Sequence, residues 1–489
     1  MQPSSAATAT MTQPQASPIQ VPEVDDKVRR ARQERIKRAW AAYRGEFKPP
    51  FVEDDGKTAT ADSVIVNRCG PAVKVSVDFL FGKDVGMTVD DKEAQDYLDA
   101  FWKANRQKKL LKRWATNGSI AGHAFLRIIP STDPTWVWPR IVVLDPMHVD
   151  VVTDPDDVDN VLAYVIQYDT GAMEKTVTKR TTIARNDGGN EYMVYGWDGD
   201  EQWLIVNQVK YGVTAGAAWQ MDGDPIPWDY HFPPIVECQN MVNPVEYLGE
   251  PDLTEDVIRA NEIINFTASN INRILSLYAH PQTWGRGFNA SQLDRRPGNL
   301  TIINDPQGML ANLEMQSDLH SSLNFLGDLR ADMDEETGVP EVALGRQEAI
   351  PRVVSGVALE LLYQTLLQKT TSKQCYYGDA LEMLCSSVLE MKGFPANMEV
   401  TLHWPNLLPP DDLATAQALT ALVGIGLSEH TALQEAGYDP DDEAKKNADS
   451  NAAKSQAFDR GQGPPPLNQP PMMVPAPAQA TQGGNDGQP

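Results

Sequence analysis

Seven histidines are the obvious general bases in this 489-residue chain: His123, His148, His231, His280, His320, His403 and His430. They are spread over the whole length, and none sits in a spacing that pairs it with a nucleophile or an orienting carboxylate. Each reads as a packed or surface residue. The acidic pairs Asp54-Asp55, Asp90-Asp91 and Asp156-Asp157 have the charge to hold magnesium. Adjacent side chains on a strand or helix diverge, however, so turn and cap roles are expected instead. The four cysteines, Cys69, Cys238, Cys375 and Cys385, contain no Cys-x-x-Cys, and zinc sites need close ligand pairs. They are expected to be four reduced, structural thiols, the last two ten positions apart on one helix. Gly285-Arg286-Gly287 follows Trp284 without the strand and helix that a dinucleotide loop requires. No Gly-x-x-x-x-Gly-Lys-Ser/Thr, Gly-x-Ser-x-Gly or His-Glu-x-x-His occurs. The chain is therefore read as a non-enzyme, with no metal and no cofactor.

What remains is the chemistry of charge. Sixty-seven acids against 42 lysines and arginines leave a formal net charge of −25. Tight duplex binding relies on cations that neutralise phosphates, so this balance excludes a protein that grips nucleic acid. It suits a conduit past which DNA slides without sticking. Two stretches depart from the acidic background. Residues 339–355 are near neutral, with Arg346 and Arg352 against Glu341 and Glu348. Gly338, Gly345, Pro351 and Gly356 keep helix from running through them. Residues 279–316 combine Trp284 and Phe288 with Arg286, Arg295 and Arg296, the residue types enriched at interface hot spots. The alternatives are an ordering pair between an arginine and Glu348 in the first stretch, and a solvated hairpin in the second.

The elements that would carry these loops follow from periodicity. Residues 1–22 lack apolar spacing and read as a disordered arm, and 451–489 as a disordered Pro/Gln-rich tail. No apolar run reaches the roughly 20 residues that cross a bilayer, and no secretory signal is expected. A basic helix from Val24 to about Gly45 is expected to present a solvated face or an acidic-partner contact. The spacing from Glu93 to Trp114 predicts two short helices broken around Asn105, and Gly118 and Gly122 mark the change to strands. From His123 to Asn240 the period becomes two. Strands are predicted at 124–129, 141–144, 161–168, 175–183, 192–197, 203–209 and 234–238, separated by Asp-Pro and Asp-Gly turns. Helices then dominate: one stripe from Leu253 to Tyr278, a second from a Ser317 cap to a Gly338 stop, and a third from Val357 to about Met391. One short strand, 300–303, falls between the first two. Met398–Trp404 reads as an isolated strand, Pro409–Asp412 as the cap of a helix to Val423, and Ser428 as the start of another, with a last polar helix at 439–449. The fold class is α+β.

The order of these parts resembles the siphophage-type portal family of tailed double-stranded DNA phages. The residues that carry it are Tyr43-Arg44-Gly45, Asn67 with Val77-Asp78-Phe79-Leu80-Phe81-Gly82, and Pro234 to Asn240 before the long helix. Thr337-Gly338-Val339-Pro340-Glu341, Leu344-Gly345, Ser355-Gly356-Val357, His403-Trp404-Pro405-Asn406 and Gly426-Leu427-Ser428-Glu429 complete it. The resemblance implies a portal-like ring subunit with an α/β wing at 23–250, long stem helices at 251–278 and 317–338 and a clip loop at 279–316. It further implies a channel loop at 339–355, a long helix at 356–397, and a return strand and helical crown at 398–450. It implies a homo-oligomer, a dodecamer, at a capsid vertex of the virion, assembled in the host cytoplasm. Its partners would be the major capsid protein and scaffold, the terminase large subunit, the head-tail adaptor, and duplex DNA passing non-specifically, with no membrane. Arg346, Gln347, Glu348, Arg352 and Val353 would face DNA. Trp284, Arg286, Phe288, Arg295 and Arg296 would meet partners. The alternative is another tail or capsid structural protein of a virion.

Overall fold

The computed structural model describes residues 24–51, 63–132, 136–154, 156–171, 177–185, 203–211, 218–244, 246–279, 283–286, 306–312, 319–345, 356–396, 398–408, 419–426, 428–435 and 443–448. The chain divides into two compact units, Met1–Leu408 and Pro409–Pro489. In the second unit residues 419–424 and 443–448 are helical. Helix Glu429–Glu435 begins as expected, with Ser428 Oγ accepting from Thr431 N at 3.1 Å. The cap expected at Pro409–Asp412 and the Ser317 cap lie outside the described residues, as do the strands expected at 192–197 and 300–303.

The first unit opens with four helices: α1 Asp26–Arg44, α2 Cys69–Phe81, α3 Lys92–Asn105 and α4 Gln107–Ala121. Asp25 caps α1, and Gly45 ends it at φ 79°. Pro71 is tolerated because it sits in the first turn of α2, where N–H groups have no helical partner. The break between α3 and α4 falls one residue after Asn105, at Arg106 with φ 55°. Asn105 fixes that elbow, donating to Phe101 O and Pro139 O and accepting from Ile141 N. Gly122 ends α4 with φ 87°. Gly118 does not mark the helix end as expected. It lies inside α4, where a Cβ would sit 2.0 Å from Tyr377 Oη, so it exists to let a later helix approach.

Strands β2 His123–Ile129, β3 Arg140–Leu144 and β10 Ile235–Gln239 form an antiparallel sheet in the order β10-β2-β3. A larger antiparallel sheet holds β4 Val149–Thr153, β5 Val161–Thr170, β6 Val177–Arg185, β7 Trp203–Tyr211 and β8 Gln220–Met221, with β9 Ile226–Trp228 also on β7. The alternation in sequence located β2, β3, β5, β6, β7 and β10 well; it missed β4, which lies between two Asp-Pro turns, and β8 and β9, which have only two and three residues. Strand β13, Thr401–His403, is not isolated. It pairs with β1, Gly86–Thr88, so that Met87 lies opposite Leu402.

Three long helices follow: α5 Glu255–Ala279, α6 Leu319–Thr337 and α7 Gly356–Lys392. The second half of α7 is buried among α2, α3, α4 and β10, with Tyr377, Leu381, Leu384 and Leu389 fully inaccessible. One edge of α5 is polar and bonds the extended backbone that precedes α2. Val64 N donates to Ser269 Oγ at 2.8 Å, Val66 N to Asn265 Oδ1 at 2.9 Å and Arg68 N to Asn261 Oδ1 at 2.8 Å. Asn261 Nδ2 and Ser269 Oγ return bonds to Val66 O and Val64 O. Side chains four apart on the helix thus meet residues two apart on the extended chain.

Where these parts converge, a charge cluster is buried. Lys373 Nζ on α7 donates to Asp252 Oδ2 at 2.6 Å, Ser76 Oγ of α2 at 3.1 Å and Ser119 Oγ of α4 at 3.3 Å. Lys369 Nζ lies 3.1 Å from Asp252 Oδ1 and donates to Thr337 O at the end of α6. Asn240, after β10, donates to Asp252 Oδ1 at 3.2 Å. Burial opposes the Asp252 carboxylate, yet Lys369 and Lys373 outweigh it and hold the group far below the usual carboxylate range. Burial pulls Lys373 down to about 8 against the attraction of Asp252.

Removing one charge strands the others, so Asp252→Asn is expected to cost about 3–5 kcal/mol, read by thermal or denaturant unfolding. Combining it with Lys373→Met should recover part of the loss. Because the folded Lys373 releases its proton near pH 8 and the unfolded one near 10.5, the unfolded state binds more protons in that window. The contribution of this group to stability therefore rises from pH 8 to 10.5, a slope that Lys373→Met should remove.

Candidate functional site

Helices α5 and α6 pack against each other, and strands β11 Thr283–Arg286 and β12 Met309–Asn312 form an antiparallel hairpin in the connection between them. Trp284 lies opposite Ala311 and Arg286 opposite Met309. Directly opposed residues share a face, so one face of the hairpin carries Trp284, Arg286, Met309 and Ala311. Trp284 and Met309 are 47% and 46% exposed, so an aromatic, a thioether and a guanidinium are offered to solvent together. Of the other residues expected to meet partners, Phe288, Arg295 and Arg296 lie outside the described residues.

The pair of helices leading to this hairpin also exposes apolar side chains. Ile263, Phe266 and Leu275 on α5 and Leu323 and Phe325 on α6 are uncovered, and Leu361, in the first half of α7, is 66% exposed. Exposed apolar area of this extent marks an interaction surface. The C-terminal half of α6 has a different character. Asp328, Asp332, Glu335 and Glu336 are exposed, stand at helical spacing and make no ion pair among the described residues.

Helix α6 stops at Gly338, as its sequence predicts, with φ 65°. Gly338 N bonds Glu335 O and Val339 N bonds Asp334 O, closing the end as a Schellman motif. Val339 is buried against Ala72 and Leu366, which anchors the start of the stretch that separates α6 from α7. Residues 341–345 form turns, ending at Gly345 with φ 86°. Arg346, Gln347, Glu348, Arg352 and Val353 lie outside the described residues. Lys369, bound to Thr337 O and Asp252, ties the anchored start of this stretch to the buried charge cluster.

The basic first helix differs from its expected solvated role. Arg29, buried, and Arg32, partly buried, clasp the buried Asp150 of β4, and Arg29 also donates to Gln167 of β5 at 2.9 Å. Arg38 bonds Glu255 and Glu262 on α5. Charge density alone cannot separate a solvated basic face from one whose acidic partners lie more than a hundred residues away. The expected set of four structural thiols also changes, because Cys375 is exposed while Cys69, Cys238 and Cys385 are buried. Burial pushes Cys69 and Cys385 up to about 12, which keeps them protonated and unreactive.

Three of the described histidines have separate partners. His123 Nε2 lies 3.3 Å from Glu237 and its ring stacks on Phe125, His231 bonds Glu390 and His403 bonds Thr88. Asp91 caps α3 and Asp157 accepts from Asp159 N, the roles expected of acidic pairs. Among the described residues no group of three or more His, Cys, Asp or Glu side chains is placed to hold a metal ion. None of the described helices is long and apolar enough to cross a membrane. What the geometry offers is therefore surface: an apolar flank, an acidic stripe and an exposed hairpin.

No curated protein matches the sequence. Among solved structures, the chain is similar to one from the neck of an empty GTA particle computed with C6 symmetry (14% identity, TM-score 0.46). The match covers 76% of this chain and 90% of that one. A chain from the virion of a native gene transfer agent (GTA) particle is also similar (14%, TM-score 0.44, 76% and 90% covered). So is one from the neck of a native GTA particle computed with C12 symmetry (13%, TM-score 0.45, 83% and 99% covered). The family comparison spans more: residues 25–457 match the family described as "Phage portal protein, SPP1 Gp6-like", nearly all of the chain between its two ends, and the protein belongs to that portal family.

Proposed function

We propose that the chain is the repeating subunit of a closed ring that serves as the genome channel at a capsid vertex. The observation that carries this reading is the apolar flank of α5, α6 and α7. Phe266, Leu323, Phe325 and Leu361 are too large and too exposed to be left in water, and identical neighbours would cover them in a ring. Residues 23–250 correspond to the wing, 251–278 and 317–338 to the stem, 279–316 to the clip and 339–355 to the channel loop. Residues 356–397 hold the helix behind that loop, α7, and 398–450 the return strand and crown. The protein acts by shape and charge, with no catalysis of its own.

The exposed acids of α6, Asp328, Asp332, Glu335 and Glu336, would repeat around the bore and discourage phosphates from sticking. Only charges within a Debye length, about 8 Å, act on the duplex. At the end of that stripe, Arg346 and Arg352 would form rings of cations that touch DNA weakly and without sequence preference. The hairpin face of Trp284 and Arg286, with Phe288, Arg295 and Arg296, would dock the packaging terminase and the head-tail adaptor outside the shell. The wing would face the major capsid protein and scaffold.

Mass photometry of the purified chain should show a closed assembly of about 650 kDa if twelve copies of the 53.9 kDa subunit join. Phe266→Asp with Phe325→Asp should leave folded monomers, and a wild type that stays monomeric across salts and concentrations would overturn the reading. Rings carrying Arg346→Glu and Arg352→Glu should package or retain less DNA, whereas unchanged packaging would remove these arginines from the channel. Arg295→Ala with Arg296→Ala should weaken adaptor or terminase docking in intact rings. Undiminished docking would reassign that surface.

A further inference from the structure

The elbow between α3 and α4 is basic in a chain whose formal net charge is −25. Lys103, Arg106, Lys108, Lys109, Lys112 and Arg113 fall within eleven positions with no acid among them. Arg106, Lys109 and Arg113, with Arg140 from β3, rim a groove of about 690 Å³. All four are exposed, and none is in an ion pair among the described residues. The groove is not only charged: Leu110, Ile141 and Trp136 supply an apolar lining. Among the described residues no aspartate or glutamate lines it. A duplex presents only phosphates to such a surface and leaves apolar lining unused. The fit is to a peptide segment that carries acids around an apolar side chain.

This chain contains one. The connection between β4 and β5 places Asp156, Asp157 and Asp159 around Val158, all exposed, with Val158 at 43%. The loop is held in one shape. Asp156 N bonds Asp154 Oδ1, Asp159 N bonds Asp157 Oδ1, Asp154 N bonds Asn160 O, and Arg185 on β6 bonds Asn160 Oδ1. Held in this way, the loop loses little entropy on docking. We propose that the α3–α4 groove of one subunit receives the Asp156–Asp159 loop of the next, with Val158 on the apolar lining and the aspartates against Arg106, Lys109, Arg113 and Arg140. Groove and loop are different surfaces, so the contact is heterologous, the kind that closes rings when the rotation permits. Isolated exposed ion pairs contribute little, but four cations facing three fixed acids set register and speed encounter. The inference rests on the ring reading and adds to it which outer surfaces meet.

The test uses the full-length chain carrying Cys375→Ser, which removes the exposed thiol. With Lys109→Cys and Val158→Cys added, mild oxidation of rings should give a ladder of covalently linked subunits on a non-reducing gel, absent from either single-cysteine variant. Separately, Arg106→Glu with Arg113→Glu should raise the free-subunit concentration by about tenfold. Adding Asp156→Lys and Asp159→Lys to the same chain should bring it back. Rings visible by microscopy with no ladder, or no response to the charge reversal, would overturn this contact and leave the ring reading intact. A wild type that forms no rings would remove both. If instead the rings bind a short duplex and lose it on Arg106→Glu/Arg113→Glu while the ladder is missing, the groove takes phosphate and the proposal fails.

Discussion

The pairing of Lys373 with Asp252 is the constraint on which the arrangement of the first unit depends. Lys373 and Asp252 sit where water does not reach, with Lys369 at their edge, and the set finds its partners only if α2, α4, α7, the segment before α5 and the end of α6 are all in place. An apolar core alone tolerates some sliding, because the hydrophobic effect has no direction. A buried ion pair does not, since a displaced partner leaves a bare charge in a medium that cannot solvate it. The cluster therefore fixes where α7 lies along α2 and α4. It also holds, through Lys369 and Thr337, the point at which the stretch after α6 departs.

The helices were largely legible in the sequence because their signals are local. Gly45, Gly338 and Gly393 end α1, α6 and α7 in the left-handed conformation, and the apolar repeats of α3 to α5 needed no tertiary knowledge. The three long strands of the large sheet, β5, β6 and β7, were legible for the same reason. Long-range features were not. Nothing near Arg29 announces Asp150, and nothing near Lys373 announces an aspartate 121 positions away. Gly118 reads as punctuation until the hydroxyl of Tyr377 is seen against it. Strand β13 could not be assigned a partner because β1 has only three residues.

The surfaces of functional interest were partly legible. Trp284 and Arg286 stood out by residue type, and the structure places them on one exposed hairpin face. The acidic stripe of α6 was visible only as composition, since exposure and the absence of ion pairs cannot be read from letters. The basic elbow shows the same limit from the other side. Its six cations are plain in sequence, but that Lys108 and Lys112 meet Asp84 and Asp78 while Arg106, Lys109 and Arg113 stay outside any ion pair among the described residues depends on where every acid lies. Two basic segments, α1 and the elbow, thus look alike on paper. Arg29 and Arg32 of the first are neutralised by Asp150 inside the fold, whereas Arg106, Lys109 and Arg113 of the second are presented.

The bonds from α5 to the extended chain before α2 have a geometric consequence. Four residues of helix rise about 6.0 Å, while two residues of extended chain span about 6.6–6.8 Å. The two scales are a vernier, drifting by roughly 0.6–0.8 Å at every rung. Three rungs, at Asn261, Asn265 and Ser269, keep each bond between 2.8 and 2.9 Å, but a much longer ladder would fall out of step. The same mismatch means that no shifted register reproduces the set: moving the extended chain by two residues puts only some of its amides opposite a polar side chain. A short ladder between unlike periodicities is thus a position marker along the helix axis, and it records where the leading segment must sit before α2 can begin.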